Sequence, residues 1–228
     1  MITPISSVTQ FSEKDMNLVT KLTHEQEAYA NAILNNHITF VDAKSGTGKS
    51  SIATQVGLAL LGRGIVKKVV YVANPVQTEA LGHLKGTLVD KTIHYYMPFF
   101  DAIYKAGVSK LKYPMEDVAD PTVPTDLEAT TPVFMRGITI ENSFIIIDEA
   151  QNFSVDDLRK IGTRITDDCI LVVIGHNGQI DVKASASGFS YYMNHFKKLK
   201  EHGEFKKVEF CELTHNFRGS ISKAFDNI

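Results

Sequence analysis

The run Ala43-Lys44-Ser45-Gly46-Thr47-Gly48-Lys49-Ser50 lies between a short apolar strand pattern, His37 to Val41, and a helical pattern that carries Ile52, Val56, Ala59 and Leu60 on one face. A strand that turns through two glycines into a helix is a narrow folding instruction. It fits a layered α/β sheet and little else. Gly46 and Gly48 let the backbone curl so that successive N–H groups point inward, and the helix beyond them presents its positive dipole end to the same spot. This is a phosphate-binding loop. Lys49 is placed to reach β- and γ-phosphates and Ser50 to ligate Mg²⁺, with Ser45, Gly46, Thr47, Gly48 and Ser51 completing the cradle.

The usual pattern opens on glycine, and here that position is Ala43. Alanine is accepted there provided its φ is negative. A Gly-Lys-Ser triplet also occurs in ordinary loops that lead into helices, so the context of the run carries the argument.

The 228 residues suffice for one substantial core, and the whole chain is expected to form a single P-loop domain with a surface insertion. A formal net charge of -2 supplies no bulk attraction to nucleic acid or anionic membrane. Cys169 and Cys211 sit in strand-like segments without ligand spacing, which suggests buried thiols in a reducing compartment. With neither a signal-like N-terminus nor an apolar run long enough to span a bilayer, a cytoplasmic protein without a membrane partner is expected. The eight histidines are scattered, and no His/Cys cluster suggests a transition metal.

Four further apolar runs predict strands at Lys68–Ala73, Ser143–Asp148, Cys169–Ile174 and Lys206–Glu212. Helical patterns alternate with them, including one capped by Ser154 with Leu158, Ile161 and Ile165 inward, and another over Phe189–Leu199. The alternation predicts an α/β fold with a mostly parallel five-stranded sheet and helices on both faces. Residues 107–132 break the rhythm with four of the chain's seven prolines and are expected to form a surface insertion. Just before it, Tyr95, Tyr96, Phe99, Phe100 and Tyr104 suit either a core face or base stacking.

Phe144 to Ile147 deliver Asp148 and Glu149 to the carboxyl end of an apolar strand, where parallel-sheet enzymes place their chemistry. This is a Walker B pattern. Asp148 holds Mg²⁺ directly or through water, and Glu149 polarises the attacking water as general base. A carboxylate at this position favours an additional-strand ATPase over a Ras-type GTPase, which positions water with glutamine. Two roles fit Gln26: reading the adenine edge, or closing a capping box with Thr23.

Ile147-Asp148-Glu149-Ala150-Gln151-Asn152 and Gly175-His176-Asn177-Gly178-Gln179-Ile180-Asp181 together resemble the PhoH-like ATPases, relatives of the first motor domain of superfamily 1 helicases. Gly46-Thr47-Gly48-Lys49, the segment Glu79 to Gly86, Met135-Arg136-Gly137 and Thr163-Arg164-Ile165 also match. The resemblance implies a RecA-like P-loop fold with strand order 5-1-4-3-2. In that family Gln179 would sense the γ-phosphate, and Gln151 would link the site to moving segments. The chain departs from the family's pattern at Ala43, at Asn74 where arginine is common, and at His176 where aspartate is usual. His176 exchanges a fixed anion for a group that titrates near neutrality, which bears on hydrolysis rate more than on binding.

Leu213-Thr214-His215-Asn216-Phe217-Arg218 resembles the helicase Asn-aromatic-Arg motif, so Arg218 is a candidate for stabilising charge in the transition state, in competition with Arg136 and Arg164. The resemblance also implies a homo-oligomer, a hexameric ring in which one protomer supplies arginine to its neighbour. The expected function is a Mg²⁺-dependent ATPase that couples ATP hydrolysis to motion on RNA or single-stranded DNA. The lysines between Lys197 and Lys207 suit a nucleic-acid contact or a solvated face. Two rivals remain at this level: a nucleotide-gated binding module with little turnover, and a P-loop kinase.

Overall fold

The computed structural model describes residues 22–75, 88–135, 137–178, 187–219 and 221. Six strands, β1 (Ile38–Ala43), β2 (Lys68–Val72), β3 (Leu127–Thr130), β4 (Ser143–Ile147), β5 (Ile170–Gly175) and β6 (Val208–Leu213), form one sheet in the order β3-β2-β4-β5-β1-β6. Every pairing is parallel. The expected order of five strands is therefore correct, with a sixth, β3, added at the edge beside β2. Strand β5 lies between the strand that leads into the glycine loop and the strand that ends at Asp148, which is the additional-strand arrangement.

The strands were legible as unbroken apolar runs because both faces of the sheet are covered. Alternate residues serve opposite layers. Val41, Tyr71, Phe144, Ile146, Val172 and Ile174 pack against α1 (His24–Asn35), α2 (Lys49–Gly62) and α4 (Met97–Lys105). Phe40, Val70, Val72, Ile145, Ile147, Leu171 and Val173 face α6 (Val155–Gly162) and α7 (Gly188–Glu201). The capping signals hold locally: Thr23 with Gln26 and Ser154 with Asp157 each close a full capping box.

The segment expected as a surface insertion is corrected in part. It contains a short helix, α5 (Met115–Ala119), and strand β3, which pairs with β2 from Val69↔Leu127 to Val72↔Thr130. Leu127 and Ala129 are buried there. A four-residue strand among prolines has too short an alternation to stand out in sequence, and it gains its partner only once β2 is in place. The aromatic cluster takes the core alternative: Tyr96, Phe99 and Phe100 are buried, and Phe99 stacks on Tyr71 with centroids 5.0 Å apart. Before α4, α3 (Leu88–Thr92) runs into a 3-10 turn over Ile93–Tyr96. Among the described residues no helix is long and apolar enough to cross a membrane. Both cysteines are free thiols, and burial raises their pKa, that of Cys211 to about 11.

Candidate functional site

Parallel register brings the carboxyl ends of β1, β5, β4 and β6 to one edge, pairing Asp42 with Gly175, Ala43 with Leu213 and, on β2, Val72 with Ile147. Residues 44–48 leave β1 at that edge and curl into α2. Gly46 and Gly48 take φ of 81° and 84°, which a residue with a Cβ rarely adopts. Ala43 needs no such freedom: it is a buried strand residue and its φ is not positive. Its departure from the glycine pattern is accommodated by the β1 geometry.

Gly48 caps α2 without any side-chain hydrogen bond, so the N–H groups of the first turn have no side-chain cap and face the loop's hollow. Thr47 is buried and its hydroxyl donates to the Lys44 carbonyl at 3.0 Å. The Lys49 ammonium folds back over the loop, 3.5 Å from the same carbonyl, and is 6% exposed. Ser45 and Ser50 are half-buried, and Ser51 accepts a hydrogen bond from Gln55 at 3.4 Å.

At the end of β4, Asp148 is 1% exposed. The Tyr71 hydroxyl donates to it at 2.7 Å and the Glu149 amide at 2.9 Å. Burial, with the neighbouring Asp148 charge second, pushes the Tyr71 phenol well above its ordinary pKa, so Tyr71 stays a donor. The oxygens of Ser50 and Asp148 are hard donors. Two protein oxygens suit Mg²⁺, which keeps waters and takes its other ligands from phosphates. Among the described residues no cluster of three or more His, Cys, Asp or Glu is gathered for a metal.

Glu149 is exposed and sits at φ 50°, ψ 43°, one of two non-glycine residues with positive φ among those described. Such strain costs on the order of 1–3 kcal/mol and concentrates at functional positions. The buried Gln151 amide donates to the Glu149 carboxylate at 2.6 Å, and its own oxygen accepts the His176 N–H at 3.0 Å. His176 in turn places Nδ1 3.1 Å from Asp42, whose carboxylate also accepts from the Asn177 side chain at 2.6 Å. A carboxylate from the neighbouring strand β1 thus lies beside His176. Asn74 donates to the Asn152 carbonyl at 3.0 Å, tying the end of β2 to the turn after Glu149.

Gln26 fills the capping role and also contacts the glycine loop. Its oxygen accepts from Thr23 N–H at 3.1 Å, and its Nε2 donates to the Thr47 carbonyl at 3.0 Å. Each end of the amide makes one of these bonds and keeps one further hydrogen-bonding site, so the capping role does not displace an adenine contact. On the other flank, the chain after β6 runs over the glycine loop: Phe217 N–H donates to Gly46 O at 2.9 Å. A Cβ added to Gly46 would lie 2.5 Å from Arg218 Cγ and 2.7 Å from Asn216 Oδ1. Arg218 is therefore brought to the loop of its own chain.

Gln179 and Arg136 lie outside the described residues, as do the segment Glu79 to Gly86 and Ile180-Asp181 of the resemblance. Arg164 lies at the turn after α6, where its carbonyl accepts from Ile140 N–H, remote in sequence from the loop. The lysine stretch is partly engaged: Lys200 pairs with Glu209 at 3.0 Å, and Lys197 and Lys200 lie over the Phe210 ring. A cavity of about 660 Å³, lined by Ile38, Phe40, Leu171, Val173, Tyr192 and Phe196 among others, includes none of the loop residues or Asp148. The described candidate residues of the loop and of Asp148–Glu149 gather instead at the carboxyl ends of the strands. Sequence reasoning missed Asp42 and Tyr71. Asp42 was the findable one, as a carboxylate at the end of the strand that feeds the loop.

The PhoH-like protein family model matches residues 18–225. A PhoH-like protein of Mycobacterium leprae (strain TN) is 32% identical over 171 residues, covering 72% of this chain and 46% of the relative. One of Bacillus subtilis (strain 168) is 27% identical over 207 residues, covering 90% of this chain and 63% of the relative. The chain thus spans roughly half to two thirds of the curated relatives it matches. Among solved structures, the large terminase from a thermophilic bacteriophage superposes with a TM-score of 0.54 at 10% identity, over 86% of this chain and 46% of that one. The same terminase in complex with ADP gives 0.51 at 11% identity, over 85% and 46%. These likenesses support the P-loop ATPase-domain fold.

Proposed function

The chain belongs to the PhoH-like protein family, and from that premise we propose that it is a Mg²⁺-dependent ATPase acting as one P-loop domain. The observation that carries the reading is the meeting, at the carboxyl ends of the strands, of an uncapped helix N-terminus with Lys49 and a Walker B pair whose Glu149 has a left-handed backbone and a carboxylate bonded by Gln151. A phosphate group seated at the start of α2 receives its N–H groups and the Lys49 ammonium. Ser50 and Asp148 would hold Mg²⁺, which would supply neutralisation of charge on the phosphate oxygens. Glu149 orients a water and takes its proton as the water oxygen bonds to the γ-phosphorus. The bond from that phosphorus to the bridging oxygen breaks, and its electron pair leaves with ADP. Arg218 stabilises the charge that develops, and Gln179 senses the γ-phosphate. A carboxylate base at Glu149 with Gln179 as γ-phosphate sensor suits water attack better than transfer to a metabolite.

Lys49→Ala tests the reading. The expected result is ATP affinity about 10–100-fold weaker, matching the roughly 1.5–3 kcal/mol of a charge-assisted contact, with Mg²⁺-dependent phosphate release abolished. Release that survives the substitution overturns the enzyme assignment. We extend the proposal to a cytoplasmic homo-oligomer, a hexameric ring that works on RNA or single-stranded DNA. It predicts ATP-dependent binding to single strands that weakens steeply with salt, checked by fluorescence anisotropy alongside the mass of the assembly. Salt-insensitive or absent binding removes the nucleic-acid part.

A further inference from the structure

Consecutive residues of α1 grip two different parts of the site. Gln26 holds the glycine loop through the Thr47 carbonyl. Glu25 holds the chain that leaves β6: one carboxylate oxygen accepts Thr214 N–H at 2.8 Å and His215 N–H at 3.2 Å, and the other accepts the Thr214 hydroxyl at 2.6 Å. These bonds, the Thr214 hydroxyl first, keep the Glu25 carboxyl below its ordinary range. Two residues further on, Phe217 N–H reaches Gly46 O at 2.9 Å, and Arg218 N–H closes a turn on Asn216 Oδ1 at 2.8 Å. The stem of Arg218 then lies on Gly46, where only a residue without Cβ leaves room.

We infer that Glu25 is the positioning residue for Arg218, fixing the 214–218 segment to α1 so that the chain's own arginine, in cis, completes the nucleotide site. The inference rests on the ATPase reading for its catalytic consequence, but its structural half does not. Nothing in the first turn of a helix requires an acid to accept three hydrogen bonds from residues 189 and 190 positions away. A generic helix-dipole acid would serve equally well in solvent. Because Gln26 fixes the loop from the adjacent position, α1 sets the distance between the phosphate cradle and the arginine.

Two measurements decide it. In amide hydrogen exchange on nucleotide-free protein at pH 7, Glu25→Ala is expected to speed exchange of Phe217 N–H about tenfold or more. That proton donates to Gly46 and not to Glu25, so its unchanged protection overturns the inference. In steady-state turnover, Glu25→Ala is expected to lower kcat about 10–100-fold with KM within about twofold, the scale of a misplaced catalytic group. Glu25→Gln, which keeps one acceptor oxygen, loses less, and Glu25→Ala adds no further loss to Arg218→Ala. Equal losses on both backgrounds, or a raised KM at constant kcat, overturn it. A wild-type protein without Lys49-dependent turnover overturns the ATPase reading instead, and the exchange at Phe217 still decides the clamp.

Discussion

Glu149→Gln is expected to slow single-turnover phosphate release by about 10²–10⁴-fold while ATP affinity stays within a few-fold of wild type. The amide has nearly the volume of the carboxylate and keeps an oxygen to accept from Gln151, whose donation at 2.6 Å holds the side chain in place. What it lacks is the basic oxygen that takes a proton from water. Binding is spared because Lys49, the α2 N-terminus and Asp148 are untouched. Rapid-quench phosphate release and an ATP titration on the same preparation separate the two quantities. Turnover within about tenfold of wild type would move the base elsewhere in the site.

Phe144→Ala is expected to cost about 3–5 kcal/mol, a large share of the roughly 5–15 kcal/mol that holds a domain together. Phe144 is fully buried on β4 and packs on α2 at Gly57, where an added Cβ would lie 2.6 Å from the ring. Glycine inside a helix sacrifices about 1 kcal/mol relative to alanine. Filling the space against the ring would cost roughly 1–3 kcal/mol, so Gly57 is the better choice only while Phe144 is present. Thermal unfolding of Phe144→Ala should fall by roughly 6–20 °C, at about 2–4 °C per kcal/mol for a chain of this size. Gly57→Ala should destabilise the wild type and not the Phe144→Ala protein. The contact joins the helix that begins with Lys49 and Ser50 to the strand that ends beside Asp148. Slack there loosens both halves of the nucleotide site together.

The strands and the phosphate loop were legible because each is encoded locally, whereas the order of the strands came from the family resemblance. An apolar run, a pair of glycines or an Asp-Glu pair at a strand end carries its meaning within a few residues. Strand β3 was not legible, since Leu127-Glu128-Ala129-Thr130 is too short to declare a period and depends on β2 for its partner. The supporting residues failed for another reason. Tyr71 meets Asp148 across 77 positions and Asp42 meets His176 across 134. Glu25 was concealed by its setting, because the helix dipole already accounts for an acid in the first turn of α1. Residue types that perform chemistry can be recognised by their spacing, whereas those that hold them become visible only when the chain has closed.

The left-handed backbone at Glu149 places limits on how this protein can be improved. Glycine is the residue that conformation favours, and substituting it would relieve strain while deleting the carboxylate. Selection for thermostability and selection for turnover therefore pull in opposite directions at this position, and a heat-hardened variant obtained without an activity screen would be expected to fail there first.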